Sequence, residues 1–382
     1  MSEYQYYEFA AIDRPLTRDE ICKLRAVSTR AVITPTGFNN HYEWGDLKAD
    51  PADWMRLYFD AFVYWADWCS CWLVLRFPKA AFHKADLEPF TECHTFSMKS
   101  SNTHWLLEWS LDESEDYERF AEDDGRGWMR RLLPLRDELL RGDLRSLYLG
   151  WLAGAKELDD GDLEPPPPSG LKELSPAQEA LAEFLGIDPD LLEAASSGSA
   201  SMSSRESEAQ DIAAWLETWR IPDMQDVVKR IALGQAQEAE QRVKSLYAAW
   251  LKAQHPVSLP ASPTRCVAEL CELARSAAAV RQAREAKERA AREAKQRQRR
   301  EADLRRMMDA PDERWKDADT QATRGGASGY DEAVRILTEL AEGYALVYNR
   351  EAFDHGLRRF LVPHAKRAAL LRRLADAGLW SG

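Results

Sequence analysis

Two sulfur-bearing groups stand out first as possible chemistry: Cys69-Ser70-Cys71 and Cys93-His94. Four nitrogen and sulfur ligands are what a zinc ion takes. The usual C-x2-C spacing is absent, though, and cysteine is among the residue types most often found packed in cores. The expectation is packing thiols and no metal. No Walker A loop, G-x-G-x-x-G, G-x-S-x-G or H-E-x-x-H occurs, and the 7 His are scattered. The sequence therefore nominates no catalytic residue and no cofactor, and an enzyme would need an unrecognised site in the N-terminal domain.

The second candidate is a basic run. From Arg281 to Arg306 there are 11 Lys/Arg and 5 Asp/Glu, a net of +6, in a chain whose formal charge is −13. The remainder thus carries −19. Such a run can track a phosphate backbone or an acidic protein surface, and Arg281, Arg284, Arg292, Lys295, Arg297, Arg299 and Arg300 are the contact candidates. Against this, five acids interrupt it, and its charges read as spread around the helix, as in a solvated connector. Glu285→Arg289, Glu288→Arg292 and Glu293→Arg297 have the spacing of favourable i,i+4 pairs.

Three further patterns carry weaker signals. Asp112–Asp124 holds eight carboxylates and one Arg but lacks the ligand order and central Gly of an EF-hand. Aromatics alternate along Phe38–Trp44, as on an RNA-binding sheet. That strand contains Glu43 and no Lys or Arg, and Met1–Glu164 carries 19 Lys/Arg against 31 Asp/Glu, a net of −12. Leu185-Gly186-Ile187-Asp188-Pro189 could turn between two DNA-binding helices, but Pro189–Ala195 offers no base-reading side chain.

The elements that must position these groups are legible in outline. Tyr4–Ile12 is rich in strand formers, and Thr17-Arg18-Asp19-Glu20 is a capping box opening a helix. A short strand, Ala31–Thr34, and the alternating strand Phe38–Trp44 follow. Asp50-Pro51 opens a second helix, expected to run to about Ala66. Its apolar residues cover more than one face, so Trp54, Tyr58 and Trp65 become candidates for protein docking. Trp72–Phe77 is a continuous apolar strand. The order βαββαβ is the ferredoxin-like pattern, with an extra hairpin over Thr95–Lys99 and Trp105–Leu111. Nine of the 14 Trp lie before residue 155, so the main core is expected there.

The fold class expected is α+β: this module, then an all-α region with a long charged helix and a C-terminal helical hairpin. A Trp-rich domain spans 1–158. Residues 159–174, with Pro165–Pro168, read as a linker. A small helical region occupies 175–262 with a Ser-rich loop at 196–207, and Pro256–Pro263 breaks the pattern. The basic helix covers 264–309, roughly 65–70 Å if unbroken. A helical module fills 311–382, with helices at 329–345, 350–361 and 363–377. The six Cys fit reduced thiols, the N-terminus shows no signal peptide, and no apolar run is long enough for a bilayer. A cytoplasmic protein without membrane partners is expected.

Tyr330-Asp331-Glu332-Ala333-Val334-Arg335-Ile336-Leu337, with His364-Ala365-Lys366 and the run Leu370–Leu379, resembles the C-terminal tail of bacterial SWIM zinc-finger proteins. The resemblance covers roughly residues 311–379. That family's finger pairs C-x-C with C-x-H. Here Cys93 and His94 are adjacent and far from the tail, so no functional residue carries over. The resemblance implies a shared helical docking module and a bacterial source. The start of the chain, YQYYEFAAIDRPLT, is similar to uncharacterised bacterial proteins of like size. The leading expectation is a non-enzymatic interaction or scaffold protein of a larger assembly. Association with nucleic acid through residues 281–306 is the alternative.

Overall fold

The computed structural model describes residues 4–112, 117–201, 208–254 and 265–380. The chain forms two compact units, residues 1–279 and 280–382. Unit one opens with β1 (Gln5–Ala10), α1 (Arg18–Val27), β2 (Val32–Thr34), β3 (Gly37–Tyr42), α2 (Pro51–Leu57), β4 (Ala61–Ala66) and β5 (Ser70–Pro78). Then come α3 (Lys84–Leu87), β6 (Phe96–Ser100) and β7 (His104–Leu111). Helices α4 (Tyr117–Glu122), α5 (Trp128–Leu132), α6 (Pro134–Leu140), α7 (Arg145–Gly154), α8 (Pro176–Phe184) and α9 (Pro189–Ser197) follow. Last are α10 (Glu208–Glu217), α11 (Ile221–Ala232), α12 (Ala236–Gln254) and the start of α13 (Val267–Met307).

The seven strands form one sheet in the order β2-β3-β1-β4-β5-β7-β6, with every neighbouring pair antiparallel. This corrects the ferredoxin-like expectation. The helix that begins at Pro51 stops at Leu57, and Ala61–Ala66 is a central strand rather than the rest of that helix. Its six residues are all buried, because both faces of the sheet are covered. Ala61, Val63 and Trp65 join one core, while Phe62, Tyr64 and Ala66 join the other. A strand between two layers reads as an unbroken apolar run, and such a run cannot be told from a buried helix by periodicity. The capping box at Thr17–Glu20 and the Asp50 cap form as the sequence implies.

A buried ionic network ties these layers together. The Asp60 carboxylate, 1% exposed, accepts from Arg76 Nε at 3.0 Å and Nη2 at 2.5 Å, and from the amides of Ile12 at 2.7 Å and Asp13 at 2.9 Å. Arg76 Nη1 donates to the Met55 and Arg56 carbonyls at 3.0 and 3.1 Å, closing the C-terminal end of α2. Arg136 on α6 donates to the Arg76 carbonyl at 3.0 Å and to both Asp13 oxygens at 2.9 Å. Burial raises the Asp60 carboxyl, but Arg76, the two amides and Arg136 outweigh it and hold it below its ordinary value. Burial, partly offset by Arg136, leaves Asp13 above its own.

The Pro-rich stretch is not a linker. Glu164 is 1% exposed and lies inside unit one. It accepts from the Tyr148 hydroxyl at 2.5 Å and from Arg265 at 2.8 and 2.9 Å. Leu171, Ala177, Leu181, Phe184 and Leu191 then continue the main core, so no boundary falls at 159–174. In the Ser-rich segment, Ser199 donates to the Pro168 carbonyl at 2.6 Å. Residues 202–207, Pro256–Pro263 and 113–116 of the acidic stretch lie outside the described residues.

Unit two contains α13 from Val280 onward, α14 (Pro311–Arg324), α15 (Gly326–Val347), α16 (Arg350–His364) and α17 (Ala368–Asp376). The module thus includes α14, and α15 starts at Gly326, before the expected 329. Trp315 stacks on Phe353 at 5.7 Å and sits against Gly356, where an added Cβ would lie 2.7 Å from the ring. Buried His364 meets Asp319 through Nε2 at 2.7 Å. Arg367 donates to the Ala322 and Thr323 carbonyls, closing the end of α14.

Removing one charge from the Asp60 network leaves its partner buried and unpaired. Asp60→Asn is expected to destabilise the fold by about 3–5 kcal/mol in chemical denaturation. The depressed folded pKa stabilises above the unfolded carboxyl value and is lost as pH falls through the folded one. The substitution should therefore flatten the acid limb of the stability profile, although Asp13 titrates in the opposite sense.

A basic face on the long helix

The continuous helix α13 fixes an angular position for each charge between Arg281 and Arg306. At 100° per residue, Arg281, Arg284, Lys287, Arg292, Lys295, Arg299, Arg305 and Arg306 fall within an arc of about 140°. Glu288 is the one acid among them. The remaining arc holds Arg289, Arg297 and Arg300 against Glu285, Glu293, Glu301 and Asp303. The charges are therefore sorted by side, contrary to the expectation that they surround the helix.

The structure of unit two explains the sorting. Leu304 is buried, and Arg300 pairs with Glu342 on α15 at 2.8 Å. These two project roughly opposite the basic arc, so the basic arc points to solvent. Residues 282–303 are exposed throughout. Ala and Gln fill the intervening positions, so the helix rests on propensity and charge pairs rather than on an apolar stripe.

The ion pairs along the helix are exposed and mostly long. Arg292–Glu288 lies at 3.9 Å, Arg297–Glu293 at 3.6 Å, Arg305–Glu301 at 3.4 Å and Arg306–Asp303 at 3.7 Å. Glu285 takes Arg281 at 3.0 Å in place of Arg289. Exposed pairs of this kind bind their cations weakly. Arg284, Lys287, Lys295 and Arg299 make no ion pair among the described residues, and all four lie in the basic arc. Over residues 280–382 there are 22 Lys/Arg and 17 Asp/Glu, a net of +5. The acidic character of the chain resides in unit one.

Of the seven basic residues nominated from sequence, Arg281, Arg284, Arg292, Lys295 and Arg299 share the face. Arg297 and Arg300 do not. Lys287, Arg305 and Arg306 were missed, and the helical register alone would have found them.

The expected docking helix does not exist as such. Trp54 is 5% exposed and packs against Phe9 and Phe38 in one core. Trp65 is 0% exposed and stacks on Phe120 in the other. Tyr58 caps α2 and is only partly covered. These rings hold the sheet to its helices and face opposite sides of it. An exposed apolar helix surface lies instead on α11, at Ile221, Met224, Val228 and Ile231.

Other sequence candidates lie within the packed core of unit one. The Cys71 thiol donates to the Phe184 carbonyl at 3.1 Å, and burial pushes it far above its ordinary pKa. Cys93 contacts the Thr95 hydroxyl at 3.4 Å in the same core, and burial raises it too. No cluster of three or more His, Cys, Asp or Glu able to hold a metal occurs among the described residues. Of the aromatics alternating from Phe38 to Trp44, Phe38 is buried and Tyr42 packs against the same core, whereas Trp44 is exposed. Helices α8 and α9 are built into the core of unit one. No described helix is long and apolar enough to cross a membrane.

Comparison with known proteins found no matching family model, no similar curated protein and no similar solved structure.

Each face carries its own prediction. Because Gly356 abuts Trp315, Gly356→Ala should destabilise unit two by about 1–3 kcal/mol, read as a lower midpoint in denaturant. The basic arc is unsupported by packing, so Lys287→Ala and Lys295→Ala should leave that midpoint within about 0.5 kcal/mol of wild type.

Proposed function

We propose that this is a non-enzymatic interaction protein that associates with nucleic acid through the basic face of α13. One observation carries the reading: eight of the eleven cations between 281 and 306 lie on one side of the helix, four of them without an ion pair among the described residues. A solvated connector needs its charges only for solubility and has no reason to sort them. A phosphate backbone does require them on one side. From Arg281 to Arg306 the face is about 37 Å long. At 3.4 Å per step it lies along about 11 base pairs.

The contact supplies no base-specific chemistry of its own. Arginine and lysine on an exposed arc neutralise phosphates and release counterions, which gives sequence-independent binding. Unit one, acidic as a whole, would be repelled by the same backbone, so the geometry favours contact by this face alone.

Fluorescence anisotropy with a short labelled duplex tests the proposal. With four to eight phosphates neutralised, log K should fall against log salt with a slope of about −3.6 to −7. Arg284→Glu with Lys295→Glu should weaken binding by more than about tenfold, while Arg289→Glu with Arg297→Glu, an equal charge change off the face, should cost less than about threefold. Equal losses from both pairs, or binding indifferent to salt, would contradict the reading.

A further inference from the structure

A cleft in the acidic unit one has basic walls. It has a volume of about 240 Å³ and is lined by Arg56, Arg76, Lys99, Ser100, Ser101, Thr103, His104 and Leu106. No carboxylate is among these residues. We propose that this cleft binds a small phosphorylated anion.

The sheet register builds the cleft. Arg76 on β5 pairs with Leu106 on β7, which pairs with Lys99 on β6, so the three form one cross-strand row. His104, two residues from Leu106, shares that side of the sheet. Arg56, in the last turn of α2, supplies the facing wall. The β6–β7 turn closes the end, with Ser101 Oγ accepting from the His104 amide at 3.0 Å.

The donors are held differently. Arg76 is fixed beneath the cleft by Asp60 and the α2 carbonyls, so it acts as a positioned charge already half-compensated. Lys99 and Arg56 are more exposed. Lys99 meets Glu108 at 3.0 Å with 61% of its side chain exposed, and Arg56 meets Asp53 at 2.7 Å with 55% exposed. Each keeps further N–H donors for a ligand. The Thr103 hydroxyl lies 2.8 Å from His104 Nδ1. When it donates there, Nε2 carries the ring proton and becomes another donor. Burial first, then Arg76 and Arg136 against the opposing Asp60, lowers the His104 pKa.

Three cationic side chains, an imidazole and a hydroxyl-lined turn around a space of this size suit a phosphoryl group, which takes many donors at once. The volume leaves room for a second phosphoryl or a small organic body beside it.

Calorimetric titration of the full chain with pyrophosphate, at constant ionic strength, is the test. Saturable binding with Kd on the order of 0.1–1 mM is expected. Lys99→Ala with Arg56→Ala should weaken it about tenfold, and Glu108→Gln, which releases Lys99, should tighten it about twofold or more. Opposite signs at neighbouring surface positions cannot come from general destabilisation. Arg284→Glu with Lys295→Glu on α13 should change nothing, which separates this site from the nucleic-acid reading. No saturable heat, or undiminished binding by the Lys99 and Arg56 variant, would overturn the proposal. So would displacement of pyrophosphate by a duplex oligonucleotide, which would assign the cleft to that surface.

Discussion

Asp60 is the point on which unit one depends. It stands where α2 ends and β4 begins, and its carboxylate reaches the end of β1, the end of β5 and, through Arg136, the helical layer beyond. A buried carboxylate costs several kcal/mol unless all its oxygen capacity is used. Here four hydrogen bonds use it. The arrangement also specifies register, because a one-residue slip of β4 would turn Asp60 away from Arg76 and exchange the two cores. The same Arg76 forms the base of the basic cleft, so the group that fixes the sheet also places a charge beneath an open surface.

Charge is divided in this chain as sharply as hydrophobicity. Unit one carries the acidic excess, and unit two is positive. Within unit two the excess is sorted again, to one side of α13. The packed side uses Leu304 and an Arg300–Glu342 pair, and the opposite side carries most of the cations, exposed to solvent. An isolated helix of mixed charge would be equally soluble with its charges scattered. Sorting at this level is an electrostatic surface aimed outward.

Much of this was legible in the sequence, and the failures have physical causes. The caps at Thr17 and Asp50, strands β1, β3 and β5, the β6–β7 hairpin and the long helix follow from propensity, alternation and the absence of Gly and Pro. The segment 58–66 is ambiguous in sequence because burial on both faces removes the period that separates a strand from a helix. As a strand it places Trp65 in the core rather than on a docking surface. Pro165–Pro168 resembles a linker because prolines bring no apolar periodicity, while the neighbouring Glu164 is held by Tyr148 and Arg265, 16 and 101 residues away. The basic run was visible at once, but its sidedness required a fixed helical register. The cleft is not legible, because Arg76, Lys99 and His104 meet only through strand pairing and Arg56 reaches them from α2.

The central claim is that the outward face of α13 lies on a phosphate backbone, and lysine footprinting tests it most directly. The full chain would be acetylated briefly with and without a short duplex, and each lysine read by mass spectrometry. The account predicts that Lys287 and Lys295, on the face, become protected, while Lys316 on α14 and Lys366 after α16 label at unchanged rates. Unchanged labelling of Lys287 and Lys295 under conditions where the duplex is bound would contradict it.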